Sequence, residues 1–170
     1  MSLPFTPADS RIGLVANGVS GSPYDRLRAF GLKLPSLAHN PYYLQHRSVD
    51  SSIYISGQLP YEDGELLGTG IVGREVELET AQELARHAAL NALAAAVQAV
   101  GDLDKVRIVQ MLVFVASTPD FGLQSQVANA ASDLLIGVLG ENGRHARTAI
   151  GVAGLPRRSP VEIQMVCTEA

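Results

Sequence analysis

LETAQELARHAALNALAAAVQAV, residues 78–100, is the stretch that decides the fold, because it is the strongest helical signal in the chain. Its apolar side chains recur at Leu90, Leu93 and Val97, which share one face of a helix with 3.6 residues per turn. Gly101 follows directly and is a typical helix end. The many alanines allow close packing, so this stretch predicts a long helix lying on a sheet.

The segments on either side of this helix predict a mixed sheet. The nearly continuous apolar run Val106 to Ala116 is typical of a strand buried on both faces. A second helix is predicted at Gln124 to Leu139, before Gly140. Further strands are predicted at Tyr42–Arg47, Ser52–Gln58, Arg147–Val152 and Val161–Thr168. This order favours an α+β fold with both helices packed on one face of the sheet.

The chain has 170 residues, which fits one domain with an N-terminal extension. Residues 1–21 are rich in glycine and serine without a clear period, and they predict a flexible tail. Residues 22–40 predict an N-terminal helix and loop, because Ser22-Pro23 is a typical helix start. Residues 41–170 form the predicted domain.

The composition limits the possible partners and locations. Charged residues make up 18% of the chain, which indicates surface that is buried in subunit contacts. The net charge of -4 argues against a nucleic-acid partner. The single cysteine, Cys167, excludes an internal disulfide and is interpreted as a small core residue. The sequence contains no long apolar run and no signal-peptide pattern, so we expect a cytoplasmic protein without a membrane span.

Two patterns resemble ligand motifs but lack the required context. Residues 68–73 match G-x-G-x-x-G, yet no predicted strand precedes them and no helix begins within them, so we expect an ordinary glycine-rich loop. The four histidines show no metal-ligand spacing with one another or with Cys167. We therefore expect neither a cofactor nor a metal.

Arg147 and Glu162 are the candidate chemical groups of the C-terminal region. An arginine at the start of an apolar strand needs a partner for its guanidinium, whose planar fork suits a carboxylate. Glu162 follows on the next strand after a hairpin-like loop, residues 154–160, and could meet Arg147 across the sheet. The spacing alone leaves two readings open: a structural ion pair between them, or an arginine that binds a ligand carboxylate.

Three separated motifs resemble the RidA/YjgF family, also called endoribonuclease L-PSP-like. Ile55-Ser56-Gly57-Gln58-Leu59-Pro60 resembles the family's S-G-Q-x-P signature. Residues 101–121 resemble its G-x-L-x-x-V…V-F-V…D-F segment. Residues 145–149, Leu155-Pro156 and Val161-Glu162-Ile163 resemble its C-terminal A-R…L-P…V-E-I stretch. The resemblance covers residues 41–168 and keeps the motifs in order.

This resemblance implies a chorismate-mutase-like fold, a barrel-like homotrimer with clefts between subunits, and cofactor-free hydrolysis of enamines and imines to 2-keto acids and ammonia. It implies that Arg147 binds the substrate carboxylate and that Glu162 helps to place the hydrolytic water. Ser56 and Gly57 match residues that line the cleft.

Other matches to the family are less direct. Asn129 matches a helix asparagine near the cleft, and the family's cleft tyrosine matches Tyr43, although Tyr42 follows Pro41 more closely in the family's manner. The archetype lacks an extension like residues 1–40, which leaves the substrate open. Other readings are a related hydrolase or isomerase of small carboxylates, a non-catalytic regulatory trimer that binds small carboxylates, and a ribonuclease.

Overall fold

The structure is a computed structural model that describes residues 21–170. The predicted flexible tail at residues 1–21 therefore lies, apart from Gly21, outside the described residues. Among residues 21–170, no helix combines the length and the apolar character that crossing a membrane requires.

Three α-helices occur in the described chain: α1 at Pro23–Ala29, α2 at Leu78–Val100 and α3 at Gln124–Leu139. Ser22 caps α1, since its hydroxyl accepts from the backbone N–H of Asp25 while the Asp25 carboxylate accepts from that of Ser22. Helix α2 ends at Gly101, whose φ of 87° is left-handed and favours glycine. The bounds of α2 and α3 are those that the sequence predicts.

Seven β-strands complete the described fold: β1 His46–Val49, β2 Ser52–Gln58, β3 Tyr61–Glu62, β4 Glu65–Leu66, β5 Val106–Ala116, β6 Ala146–Val152 and β7 Val161–Glu169. The main sheet has the order β1-β2-β7-β5-β6, and β3 and β4 form a separate hairpin. Only β5 and β6 are parallel, so the sheet is mixed as predicted. The first strand begins at His46 rather than at Tyr42, because the Asn40 side chain accepts from the backbone of Tyr42 and the chain bends there.

The core lies between the sheet and the two long helices. Helices α2 and α3 contact each other and the same face of the sheet, which confirms the predicted one-sided packing. The residues of β5 and β7 that point to this face are fully buried, among them Met111, Val113, Ile163 and Met165. Cys167 is buried with them, as expected of a core residue.

The opposite face of the sheet is open in the described chain. Ile150 on β6 is 41% exposed and Tyr54 on β2 is 48% exposed. The expectation that β5 is buried on both faces is therefore wrong for the single chain, because helices cover only one of them. We call this surface the open face. Tyr54, Phe114 and Ile150 point to it from β2, β5 and β6.

The connection between β6 and β7 is not a hairpin. It contains a 3-10 turn at Pro156–Arg158 and carries the chain across β5, which pairs with both strands. The glycine-rich segment 68–73 forms turns and isolated bridges, and α2 begins only at Leu78. It therefore has no dinucleotide-binding geometry, as predicted.

Candidate functional site

Arg147 lies near the start of β6, on the face of the sheet that α3 covers. Its Nη1 donates to Oδ1 of Asn129 at 2.9 Å and to Oγ of Ser132 at 3.0 Å. Asn129 and Ser132 are three residues apart on α3 and therefore lie on one face of that helix. Helix α3 thus holds the exposed arginine that the edge strand presents.

These hydrogen bonds decide which donors of Arg147 remain for a ligand. A guanidinium has five N–H donors, and Asn129 and Ser132 accept from the two on Nη1. Within the described part of the chain, Nε and Nη2 have no hydrogen-bond partner. These two nitrogens lie along one edge of the guanidinium and match the two oxygens of a carboxylate. Arg147 also borders a surface cavity of about 220 Å³.

His145 extends the hydrogen-bond chain behind Ser132. Its Nδ1 lies 2.6 Å from the carbonyl oxygen of Gly143, which can only accept, so Nδ1 holds the proton. Its Nε2 then accepts from the Ser132 hydroxyl at 3.1 Å. Burial lowers the pKa of His145, the bond to Gly143 opposes this shift, and the charge of Arg147 lowers the pKa further. The lowered pKa favours the neutral ring, in which Nε2 can accept from Ser132.

Glu162 lies on β7 and points to the open face, because its neighbours Val161 and Ile163 are buried on the other side. The carboxylate is half-buried and accepts no hydrogen bond within the described chain. Burial raises the pKa of Glu162, which makes its carboxylate more basic than an exposed one. Gly57 of β2 leaves room for this group, since a Cβ at that position would overlap Oε1 of Glu162.

Ser56 positions the segment that contains the candidate tyrosines. Its Oγ donates to the carbonyl oxygen of Leu44 at 2.7 Å. Tyr43, the neighbouring residue, lines a cavity of about 1060 Å³ between the N-terminal extension and α2, and Gly57 lines the same cavity. Tyr42 is 93% exposed and does not line it. Of the two tyrosines, Tyr43 is therefore the one placed near Gly57.

The site residues fall into two groups. We call them the arginine cluster (Asn129, Ser132, His145, Arg147) and the glutamate cluster (Tyr43, Ser56, Gly57, Glu162). Hydrogen bonds link the members of the arginine cluster. In the glutamate cluster, Gly57 adjoins the Glu162 side chain and lines one cavity with Tyr43, while Ser56 bonds to the segment that contains Tyr43. The two clusters are apart within one chain.

Strand β5 separates the two clusters. Arg147 is opposite Met111 of β5, whereas Glu162 is opposite Phe114, three residues further along. The two residues are therefore about 10 Å apart across the sheet and about 10 Å apart along the strands, and their side chains point to opposite faces. Among the described residues, Arg147 forms no ion pair with Glu162. The expectation that the two residues meet across a hairpin is wrong, because β6 and β7 are not neighbours.

The sequence interpretation missed Ser132 and His145. Two signals could have indicated them: Ser132 follows Asn129 at helical i, i+3 spacing, and His145 precedes Arg147 by two residues, which puts both on one side of an extended strand. Within residues 21–170, no three His, Cys, Asp or Glu side chains are grouped as metal ligands would be.

Comparisons with known proteins identify the family of this chain. The model described as "YjgF/chorismate_mutase-like, putative endoribonuclease" matches residues 24–167. Protein TCP17 of Trypanosoma cruzi is 42% identical over 147 residues, which are 85% of this chain and 92% of that protein. The chain belongs to the YjgF/chorismate-mutase-like family.

Solved structures agree with this assignment. The protein Atu1372 of Agrobacterium tumefaciens, of unknown function, is 37% identical with a TM-score of 0.80, over 94% of this chain and 95% of that one. A "putative endoribonuclease" of Shewanella oneidensis is 31% identical with a TM-score of 0.83, over 87% of this chain and 99% of that one. The chain therefore has the α+β fold of this family.

Proposed function

We propose that this protein hydrolyses small 2-imino acids, of the 2-aminoacrylate type, to 2-keto acids and ammonia. The observation that carries the proposal is the free Nε–Nη2 edge of Arg147, which fits the carboxylate that every such substrate has. The motifs that residues 41–168 share with the RidA/YjgF family support the same reaction. The proposal needs no cofactor.

The reaction adds one water across the C=N bond and then breaks the C–N bond. With its carboxylate on Arg147, the imine presents C2 to a water whose proton passes to Glu162 as the C–O bond forms. That proton passes from Glu162 to nitrogen and gives the carbinolamine. The carbinolamine hydroxyl then loses its proton, which also passes to nitrogen, as the C–N bond breaks, so ammonia leaves and the C=O of the 2-keto acid forms. An enamine first takes a proton at its terminal carbon to give the imine. The raised pKa of Glu162 favours proton transfer, and orientation of the two reactants lowers the barrier further.

The proposed site lies in clefts between the subunits of a homotrimer. One chain holds the arginine cluster and the glutamate cluster on opposite faces of its sheet, so a cleft that contains both needs a second copy. The exposed Tyr54 and Ile150 on the open face, together with the charged fraction of 18%, favour a surface that is covered in the assembly. The threefold symmetry follows from the family resemblance.

Other readings make different use of the same residues. A regulatory trimer would bind a small carboxylate on Arg147 without turning it over, and a related hydrolase or isomerase would act on another small carboxylate. The family description also names an endoribonuclease. The net charge of -4 and the aromatic content of 5% disfavour a groove for single-stranded RNA, which relies on cations and stacking rings.

The test is an ammonia-release assay with 2-aminoacrylate and longer imino acids, each generated enzymatically in the cuvette. We expect the protein to release ammonia and 2-keto acid well above the spontaneous rate. Light scattering on the same sample establishes the assembly, and we expect a trimer with contacts that bury roughly 1,000 Å² or more in total. A protein that is trimeric but gives only the spontaneous rate contradicts the deaminase, and a stable monomer at micromolar concentration contradicts the cleft.

Two further measurements identify the alternatives. Binding of 2-oxobutanoate without acceleration of any imine supports the regulatory trimer. Cleavage of single-stranded RNA that survives careful purification supports the endoribonuclease.

A further inference from the structure

Arg147 is the fourth member of a hydrogen-bond chain that begins at the backbone of the turn before β6. The Gly143 carbonyl accepts from Nδ1 of His145 at 2.6 Å, and Nε2 of His145 accepts from Ser132 at 3.1 Å. The Ser132 hydroxyl has then given away its only proton, so its oxygen can act only as an acceptor toward Arg147, at 3.0 Å. The Gly143 carbonyl thus determines the His145 tautomer, and the tautomer determines the direction of the Ser132 hydroxyl proton.

The start of the chain is fixed by backbone packing. A side chain at Gly143 would collide with the carbonyl group of Leu135 on α3, so this glycine allows the turn to lie directly on the helix. Helix α3, which contains Asn129 and Ser132, therefore also fixes the position of the Gly143 carbonyl. This carbonyl in turn holds the proton on Nδ1 of His145.

We infer that Ser132 and His145 are positioning residues that hold Nη1 of Arg147 and so turn its Nε–Nη2 edge toward the substrate carboxylate. The inference rests on the proposed function, because it presumes that Arg147 binds a carboxylate. Neither residue touches the ligand in this scheme. Asn129 accepts one proton of Nη1 and Ser132 accepts the other, while the bond from the Ser132 hydroxyl to His145 fixes the direction of that oxygen's lone pairs.

The neutral state of His145 supports this role. Burial and the nearby charge of Arg147 both lower its pKa, while the Gly143 carbonyl opposes them. Arg144 also borders the cavity beside the ring, but its Nε donates to Glu141 at 2.9 Å. The guanidinium of Arg147 is therefore the charge that acts most directly on His145 among the described residues.

One test does not depend on any activity. In protein labelled with 15N-histidine, long-range 1H–15N spectra report which imidazole nitrogen holds the proton. We expect the Nδ1–H form for His145 at neutral pH, assigned by its loss in His145→Gln. An Nε2–H form would overturn the inference, because Nε2 could then no longer accept from Ser132.

The second test separates a positioning role from a purely structural one. Glutamine at residue 145 can place an acceptor near the position of Nε2, whereas asparagine can replace only the bond from Nδ1 to Gly143. We expect His145→Asn and Ser132→Ala to weaken binding of 2-oxobutanoate about three- to tenfold, the contribution of one hydrogen bond. His145→Gln and Ser132→Thr, which keep the acceptor and the hydroxyl, should stay within about twofold of the wild type.

Titration calorimetry gives these dissociation constants directly, and thermal unfolding shows whether each variant remains folded. Ser125→Ala on the same helix is the control for Ser132, since Ser125 is exposed. His46→Gln is the control for His145, because His46 lies on β1, at the opposite edge of the sheet from β6. Both controls should bind 2-oxobutanoate as the wild type does.

The outcomes distinguish this inference from the function on which it rests. If Arg147→Lys weakens binding but Ser132→Ala and His145→Asn do not, the inference alone is wrong. If asparagine rescues as well as glutamine at residue 145, His145 has only a structural role, and the inference is also wrong. If Arg147→Lys leaves binding unchanged, both the carboxylate site and the inference fail. If Ser132→Ala and His145→Asn weaken binding of 2-oxobutanoate but the trimer has no deaminase activity, the inference stands and only the proposed reaction is wrong.

Discussion

Replacing Arg147 by lysine tests the carboxylate site while keeping the positive charge. In the structure, Nη1 is occupied by Asn129 and Ser132, and the Nε–Nη2 edge is free. A lysine ammonium has its three protons on one nitrogen. If two of them replace the bonds to Asn129 and Ser132, one remains for the ligand, so the substrate loses one of its two charge-assisted hydrogen bonds.

The size of the loss follows from that count. A hydrogen bond to a charged group contributes roughly 1.5–3 kcal/mol. At about 1.4 kcal/mol for each factor of ten, we expect kcat/KM for imine hydrolysis to fall roughly ten- to hundredfold. The bonds that the arginine makes to α3 are at the surface, so the free energy of unfolding should fall by about 1 kcal/mol or less.

The assay is ammonia release in parallel with calorimetric binding of 2-oxobutanoate, on protein that light scattering shows to keep its assembly. Arg107→Lys is the matched control, because Arg107 is an exposed arginine whose Nε bonds to Asn142 at 3.2 Å, and its loss should change kcat/KM less than twofold. An Arg147→Lys protein with near-wild-type activity would refute the assignment of the carboxylate to this residue.

Three further predictions concern the glutamate cluster and the core. Gly57→Ala should keep the fold but lower kcat/KM, because the new methyl group displaces the Glu162 carboxylate; a crystal structure with Glu162 unmoved would contradict this. The rate of hydrolysis should fall as the pH decreases through the pKa of Glu162, which burial raises above its usual value, because protonation removes the base. Glu162→Gln should abolish this acidic limb of the pH–rate profile, and an unchanged limb would exclude Glu162 as the base. Burial raises the pKa of the Cys167 thiol to about 11, so the folded protein should not react with a thiol reagent at pH 7 until denaturant is added; rapid labelling of native protein would show that this strand is open.

The helices were predictable because local signals fix their ends. Helix α2 spans Leu78–Val100 in both the sequence interpretation and the structure. An uninterrupted apolar periodicity defines its length, and Gly101 takes the left-handed conformation that ends it. Helix α3 likewise ends at Gly140, whose φ is 63°. These signals act over a few residues and are readable in one sequence.

The sheet was less predictable because its order depends on long-range pairing. The sequence places Glu162 fifteen residues after Arg147, and nothing local shows that β5 lies between them. The parallel pairing of β5 with β6 requires a crossover connection, and no local signal in either strand shows that the two strands pair. The expectation that Arg147 and Glu162 meet across a hairpin was therefore wrong.

The separation of the two clusters explains how an arginine and a glutamate can both remain available for a ligand. If Arg147 and Glu162 met within one chain, the glutamate would occupy the Nε–Nη2 edge, and a substrate carboxylate would have to displace it. The structure avoids this competition by placing the two groups on opposite faces and by tying Nη1 of Arg147 to Asn129 and Ser132. In the proposed cleft, the helix of one subunit therefore sets the direction of the free guanidinium edge. In this proposal, Arg147 of one subunit binds the substrate carboxylate, and the glutamate cluster of the neighbouring subunit takes the proton from the water that attacks the imine.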